Sequence, residues 1–487
     1  MMVAPDSVAL QPLAPALTLL IAGSLALLVS VFSRNVRSGG VLALLGLVVA
    51  GTFASLNLVG AAETPTATFG LQWLTDAPAA ALTLVVLVGA LLAILAGWDA
   101  LVPLDMDRPE YYPLLSFASA GAIVMIHAGD FVVLILGLEI LSLAVYALSA
   151  WRTSDRGSEE AGMKYFLLGA FASAILIYGV ALLYGATGGF AYAEIAAALA
   201  DGAGPLALLG STLILAGLAF KVSFAPFHQW APDVYTGAPL PVTTFMSVVV
   251  KAAAFGALLR VFASAWPGML PELDLMLAVL VAATLIVGNF GALLQSGAKR
   301  MLAYSAVAHA GYLGLAVLAA GQELIGPPTV AWYLAAYTFM TAGAFTVLAQ
   351  IMGDDPRGDR IAAFEGLGRR RPALALAMTL FLFSLAGIPP LAGFFGKALA
   401  VQAAFEAGWS SVAVLALVMA IVAVVYYTRF VWAMWFVRGS AATPTARSAA
   451  AGWATALAVA GTVGLGLFPD LWYRLLEGAR LVVSAGL

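Results

Sequence analysis

The sequence predicts an all-α integral membrane protein of about fourteen transmembrane helices, with two inverted five-helix repeats and breaks in helices 7 and 12. Three observations predict it. Of 487 residues, 63 % are hydrophobic and only 10 % are charged, with a mean hydropathy of +1.01. So few charges cannot cover the wet surface of a soluble core. Apolar runs of at least ~18 residues, the length that crosses a bilayer as a helix, recur from end to end. No segment alternates apolar and polar residues over about ten positions, as the strands of an outer-membrane barrel would.

The predicted spans are 9–33, 40–61, 77–98, 111–128, 130–151, 161–185, 205–230, 239–264, 272–295, 299–320, 328–352, 372–407, 409–437 and 447–468. A short amphipathic end follows at about 470–484. The opening MMVAPDSVALQPLAP lacks a basic n-region and a small-residue cleavage signal, so the first run is expected to persist as a helix. Pro226 interrupts the seventh span, and Gly387-Ile388-Pro389-Pro390 interrupts the twelfth, because proline removes a backbone donor and clashes with the preceding turn. Breaks at membrane depth are tolerated where they face protein or water, so Pro226, Pro389 and Pro390 mark the expected conduction path. The chain divides into a three-helix segment (1–110), units of five spans at 111–264 and 272–437, and a last span with its short end (447–487). Five is odd, so the two units have opposite orientations, the inverted repeat of many transporters. No soluble domain is expected, and no linker beyond the basic loop 353–371.

Basic residues test this arrangement, since short cytoplasmic loops carry the excess of Lys and Arg. With the N-terminus outside, the cytoplasmic loops hold Arg34, Arg37, Arg108, Arg152, Arg156, Lys164, Lys299, Arg300, Arg357, Arg360, Arg369, Arg370, Arg371, Arg438 and Arg447. The other side holds Arg260, Arg474 and Arg480. Both termini are therefore expected outside. Lys221, Lys251, Lys397 and Arg429 remain, all inside spans.

The chain has no cysteine, which excludes disulfides, cysteine-ligated iron–sulfur clusters and thiol chemistry within it. Three scattered histidines make a dedicated metal site or a bis-histidine haem unexpected. Redox chemistry linked to this protein belongs on a partner.

Buried charges carry the functional reading. A charge at the bilayer centre costs at least ~2.5–3.5 kcal/mol on insertion scales. Glu139 is the one carboxylate placed near a span centre, about nine residues or ~13 Å into the fifth helix. With Lys221, Lys251 and Lys397 it lies too deep for easy snorkelling, and small or hydroxyl side chains tie helices more cheaply. Burial favours a neutral lysine and a nearby carboxylate favours a charged one, so a lysine whose partner approaches and recedes takes up and releases a proton. Glu139 and Lys221 form the natural pair, and Pro226 is expected to free the Val222 carbonyl beside Lys221. His309, in LAYSAVAHAGYLG, stands one helical turn from Ser305 with Tyr312 nearby, and a membrane histidine can relay protons. An interhelical hydrogen bond is the plainer alternative for it. His228, in APFHQWAPD, suits a relay or a loop anchor equally. His127 is expected to be interfacial, and Arg429 to snorkel or tie two helices.

These residues lie in phrases that resemble a known family. AFKVSFAPFHQWAPDVYTGAPLPVTTFMSVVVKAAAF (219–255) and QSGAKRMLAYSAVAHAGYLGL (295–315) are similar to the antiporter-like subunits of respiratory complex I. SLAGIPPLAGFFGK (384–397) and EEAGMKYFLLGAFASAILIYGVALLYG (159–185) look most like the N-subunit branch, counterpart of the mitochondrial second NADH dehydrogenase chain. The resemblance implies a fourteen-helix fold and one proton channel of an NADH:quinone oxidoreductase, a translocase of the bacterial inner membrane. It implies that Glu139, Lys221, Lys251 and Lys397 match the proton-path residues of helices 5, 7, 8 and 12, and that His309 matches a polar position on helix 10. Lys397 departs from the glutamate of the M branch, and a short tail departs from the long lateral helix of the L branch. FMN, iron–sulfur clusters, NADH and quinone would then sit in or between partner subunits, with none bound by this chain, and no Gly-rich phosphate loop follows a strand. The rival readings are a subunit of a multisubunit sodium/proton antiporter, a relative fed by another electron donor, or a solute carrier. A solute carrier would need a larger polar binding cluster.

Overall fold

The computed structural model describes residues 9–200, 202–266, 270–320, 325–352, 359–439, 448–476 and 481. Arg357, Arg447, Arg480, the first eight residues, the start of the loop 353–371 and positions 477–480 and 482–484 of the expected amphipathic end lie outside them.

The chain is helical in the predicted order. The helices are α1 (Ala14–Ser33), α2 (Val36–Glu63), α3 (Ala77–Gly97), α4 (Tyr111–His127), α5 (Phe131–Ser149) and α6 (Arg156–Thr187). Next come α7 in two halves (Pro205–Val222 and Trp230–Gly237), α8 (Leu240–Ser264), α9 (Leu270–Leu293), α10 (Ala298–Val317) and α11 (Gly326–Met352). Last are α12 in two halves (Pro372–Ala386 and Ala392–Glu406), α13 (Ser410–Phe436) and α14 (Ala449–Leu467). Among the described residues eleven helices are long and apolar enough to cross a membrane, and Tyr111–His127 and Pro372–Ala386 are shorter apolar helices.

Local chemistry sets the ends. Asp76 starts α3 by accepting from the Ala79 N–H, Asp130 starts α5 by accepting from Val133, and Asp155 starts α6 by accepting from Gly157. Pro205 and Pro372 open α7 and α12, where a missing N–H costs nothing. Asp155 caps the α6 helix at Arg156, so this helix begins five residues before the hydrophobic pattern does.

Large apolar side chains face outward, among them Phe171 (68 % exposed) and Ile421 (70 %), as a lipid-facing surface requires. The polar interior runs the other way. Every residue of α8 is buried, and α8 packs against α3, α4, α10 and α11, which makes it the axle between the two five-helix units. Each unit opens with a closely packed pair, α4 with α5 and α9 with α10, and each has its broken helix in fourth place.

Two features were not legible in the hydropathy. Thr66–Thr68 and Trp73–Thr75 form an antiparallel hairpin that pairs Trp73 with Ala128, and a short helix, Tyr192–Ala198, follows α6. Arg260 was counted on the outer side, but it lies within α8 and is buried against Asp76.

Candidate functional site

The first node is built on α5 and α7. Lys221 occupies the last turn of the first half of α7 and is 5 % exposed. Its Nζ donates to Ser142 Oγ at 2.8 Å and to Tyr146 Oη at 3.0 Å, and it stands 5.3 Å from the Tyr146 ring centre. Glu139, Ser142 and Tyr146 are spaced three and four residues apart, so one face of α5 carries all three. Glu139 and Lys221 are not hydrogen-bonded to each other. Two hydroxyls hold the ammonium instead, while Glu139 stays within its electrostatic range and keeps a buried Oε1 that has no hydrogen-bond partner.

The break beside Lys221 also differs from expectation. The helix ends before Pro226 is reached, because Ser223 turns left-handed at φ +68°. The Phe220 carbonyl accepts from the Ser223 N–H and from Trp230 Nε1. His228 sits in the 3-10 turn after Pro226, half-buried, with an unpartnered Nδ1 and its ring 6.4 Å from Tyr304. It is not brought to Lys221.

The second node joins the units. Lys251 follows a π-helical turn at Met246–Val250, a widening that recurs at functional positions. Its Nζ crosses to α10, donating to the Ala306 carbonyl at 2.6 Å, and lies 5.6 Å from the Tyr337 ring centre. One turn along α10 from Ala306, His309 Nδ1 meets Tyr333 Oη at 2.7 Å. His309 is within electrostatic range of both Lys251 and Lys397. Ser305 and Tyr312 turn to α13: Ser305 Oγ bonds Tyr427 Oη, and Tyr312 Oη donates to the Ala416 carbonyl.

The third node is the α12 break itself. Gly387 takes φ +89°, a conformation that strains any other residue, and a Cβ there would crowd Lys397 Cδ at 3.0 Å. Lys397 Nζ donates to the Ala386 carbonyl at 3.0 Å and lies 4.7 Å from the Tyr312 ring centre. The Ala386 carbonyl used by Lys397 stands at the point where Gly387–Pro390 interrupt the helix. From Lys397 a cleft of about 540 Å³ leads past Gln402 to Glu406, which are bonded to each other at 2.7 Å. A second cleft of about 260 Å³ lies at the other end of the helices, lined by Asp99, Arg152, Asp155 and Lys299.

Lys221, Lys251, His309 and Lys397 are thus all buried and hydrogen-bonded to neutral oxygens, with no carboxylate in ion-pair reach among the described residues. Arg429 behaves as a tie, donating from α13 to the Leu293 and Gln295 carbonyls at the end of α9. His127, at the end of α4, is 1 % exposed, bonded to the Leu74 carbonyl and Thr83, and stacked on Trp73. Among the described residues no three His, Asp or Glu side chains gather as a metal site.

Reading by residue type alone passed over Ser142, Tyr146, Tyr333 and Tyr337. The helical spacing from Glu139 would have found the first two. Tyr146→Phe keeps the ring under Lys221 and removes only the acceptor. A hydrogen bond to a charged group is worth about 1.5–3 kcal/mol, so this variant is expected to assemble normally and lose several-fold in proton pumping. Pumping equal to the parent protein in proteoliposomes would leave Tyr146 as packing.

Residues 128–423 match the family described as NADH:quinone oxidoreductase/Mrp antiporter, TM. The chain is 38 % identical over 476 residues to NADH-quinone oxidoreductase subunit N 1 of Herpetosiphon aurantiacus, covering 96 % of each. A chain of Thermus thermophilus respiratory complex I with bound aureothin is 39 % identical, with a TM-score of 0.80 and coverage of 94 % of this chain and 98 % of that one. A chain of the Mrp complex of Dietzia sp. DQ12-45-1b has a TM-score of 0.83 at 22 % identity, covering 95 % of this chain and 96 % of that one, a likeness of fold alone.

Proposed function

Since the chain belongs to the NADH:quinone oxidoreductase/Mrp antiporter membrane-subunit family and is the N subunit of the oxidoreductase, we propose that Glu139, Lys221, Lys251, His309 and Lys397 are its proton path. It is a multi-span, proton-translocating subunit of a translocase, working among the other subunits of complex I. NADH, FMN, the iron–sulfur clusters and quinone then belong to those partners. The membrane is the bacterial inner membrane, with both termini on the periplasmic side, an orientation supported by the basic residues of the cytoplasmic loops.

The observation that carries the path is the choice of partners. Each buried lysine rests on hydroxyl or carbonyl oxygens. Such oxygens stabilise an ammonium without fixing it in the charged state, as a bonded carboxylate would. Glu139, close to Lys221 but not bonded to it, biases that proton from a distance. The two units act as half-channels: protons from the cytoplasm load Lys221 in 111–264, pass through Lys251 and His309, and leave from Lys397 in 272–437. The cleft running from Lys397 to Glu406 supplies the outlet, and Ser305, Tyr312 and His228 flank the path without bridging it.

Glu139 gives the test. Glu139→Gln removes the charge at constant shape and is expected to lower pumping about as far as loss of Lys221 does. Glu139→Asp keeps the charge with a shorter reach and retains part of it. A silent Gln variant, assembled and pumping fully, would make Glu139 a structural residue and break the electrostatic link. Affinity purification followed by mass spectrometry tests the assembly, with flavin- and iron–sulfur-bearing partners expected.

A further inference from the structure

Arg429 is a charge within a membrane-spanning helix that only neutral carbonyls answer. It lies seven residues before Phe436, the end of α13, or ~10 Å along the helix. Its Nη1 donates to the Leu293 carbonyl at 3.1 Å and its Nη2 to that of Gln295, where α9 stops. A helix end with orphan carbonyls favours a cation. Yet those bonds occupy two of the five N–H groups of a guanidinium, and the residue is exposed. Arg360 is exposed beside the same turn: its backbone pairs with Gly297, and the Ile361 N–H donates to the Ser296 carbonyl at 2.9 Å. Among the described residues neither arginine has a carboxylate in ion-pair reach. Asp359, next to Arg360, gives one oxygen to the Lys299 N–H at 2.7 Å.

Beside the two charges runs a surface for hydrocarbon. The helices α9 and α13 pack against each other, and both turn apolar side chains outward. Ile286, Phe290 and Leu294 recur every four residues on the first, and Ile421, Val425 and Trp432 are exposed on the second. Leu294 is 81 % exposed, one residue before the Gln295 that receives Arg429. Trp432 stacks on Phe436 with ring centres 4.6 Å apart, and exposed aromatic rings near a helix end mark the membrane–water interface. Tying two helices accounts for the carbonyl bonds but not for the exposed remainder of the guanidinium or for a second arginine at the turn. Basic groups between helices at headgroup level attract anionic lipid heads. A guanidinium binds a phosphate through paired, charge-assisted hydrogen bonds.

We propose that Arg429 and Arg360 hold the phosphate of an anionic phospholipid against the turn between α9 and α10, with its acyl chains along the seam of α9 and α13. The site needs a chain that spans a bilayer and is independent of the proton path; by the orientation proposed above it lies in the cytoplasmic leaflet. The test places the whole complex in phosphatidylcholine vesicles with a minor share of phosphatidylglycerol that carries a photoactivatable acyl chain. Labelled peptides are located by mass spectrometry, and phosphatidylcholine with the same group is the control. Peptides covering 286–294 and 421–436 are expected to label several-fold more with phosphatidylglycerol. Arg429→Gln with Arg360→Gln should bring that labelling down to the phosphatidylcholine level, by roughly fivefold for each arginine removed, in a complex that still oxidises NADH. Equal labelling by both lipids in the parent reduces the seam to ordinary lipid contact and overturns the site. No labelling there by either lipid means that a partner subunit covers it, which also overturns it. Loss of the preference on adding excess inorganic phosphate would make free phosphate, and not a lipid, the occupant. If the double variant does not assemble, ionic strength decides in the parent protein: the preference must fall as salt rises, and a preference that stays constant overturns the pairing with arginine.

Discussion

Lys221→Ala is expected to cut proton pumping coupled to NADH oxidation by roughly tenfold or more, since a positioned proton-transfer group is worth about 10²–10⁴-fold, while the complex remains assembled. The ammonium is the only charged group at the end of the first half of α7, and Ser142 and Tyr146 converge on it from α5. Removing it leaves two hydroxyls facing a small cavity, which water can fill without supplying a group that takes up and releases a proton near neutral pH. Lys221→Arg separates charge from chemistry. Its guanidinium can reach the same two oxygens, but it keeps its proton, so pumping should fall nearly as far as with Ala. Pumping by the Ala variant at the parent rate, measured with a pH-sensing dye in proteoliposomes, would remove Lys221 from the path. Recovery of pumping by Arg would reduce it to a fixed charge.

Lys397 is expected to give the other large effect, with a diagnostic order. Lys397→Ala and Lys397→Met should lose most of the pumping, again by roughly tenfold, whereas Lys397→Glu should retain a substantial part. A carboxyl at this position can donate to the Ala386 carbonyl when protonated and can give that proton to the cleft leading to Gln402 and Glu406. Ala and Met can do neither. The competing role is an electrostatic contact with a partner subunit, for which reversing the charge is the worst choice. Lys397 is 7 % exposed and lies against the Tyr312 ring, which favours the relay. Measuring assembly and pumping for all three variants decides between them. A Glu variant that does not assemble, beside Ala and Met variants that do, would end the relay role.

The membrane-spanning helices were legible because a bilayer imposes a local rule: each segment must be apolar over its own length, whatever it packs against. The breaks in α7 and α12 were legible for the same reason, since proline acts on its own helix. Lys221, Lys251, Lys397 and Glu139 stood out because a deep charge is costly wherever it is placed. The Ala386 carbonyl that Lys397 uses stands at the second of these breaks.

What the sequence could not decide was how these helices rotate and lean against one another. Lys221 finds Ser142 and Tyr146, 79 and 75 residues away, because α5 presents that face to α7. Arg260 read as a loop residue because it sits near the end of an apolar run, and only the packing of α3 beside α8 brings it to Asp76, 184 residues distant. The hairpin at Thr66–Thr75 is too short and too mixed in composition to leave a periodic trace. Hydropathy is a sum along one helix, whereas a hydrogen bond between two helices depends on crossing angle, register and rotation. Those quantities exist only once the chain has packed.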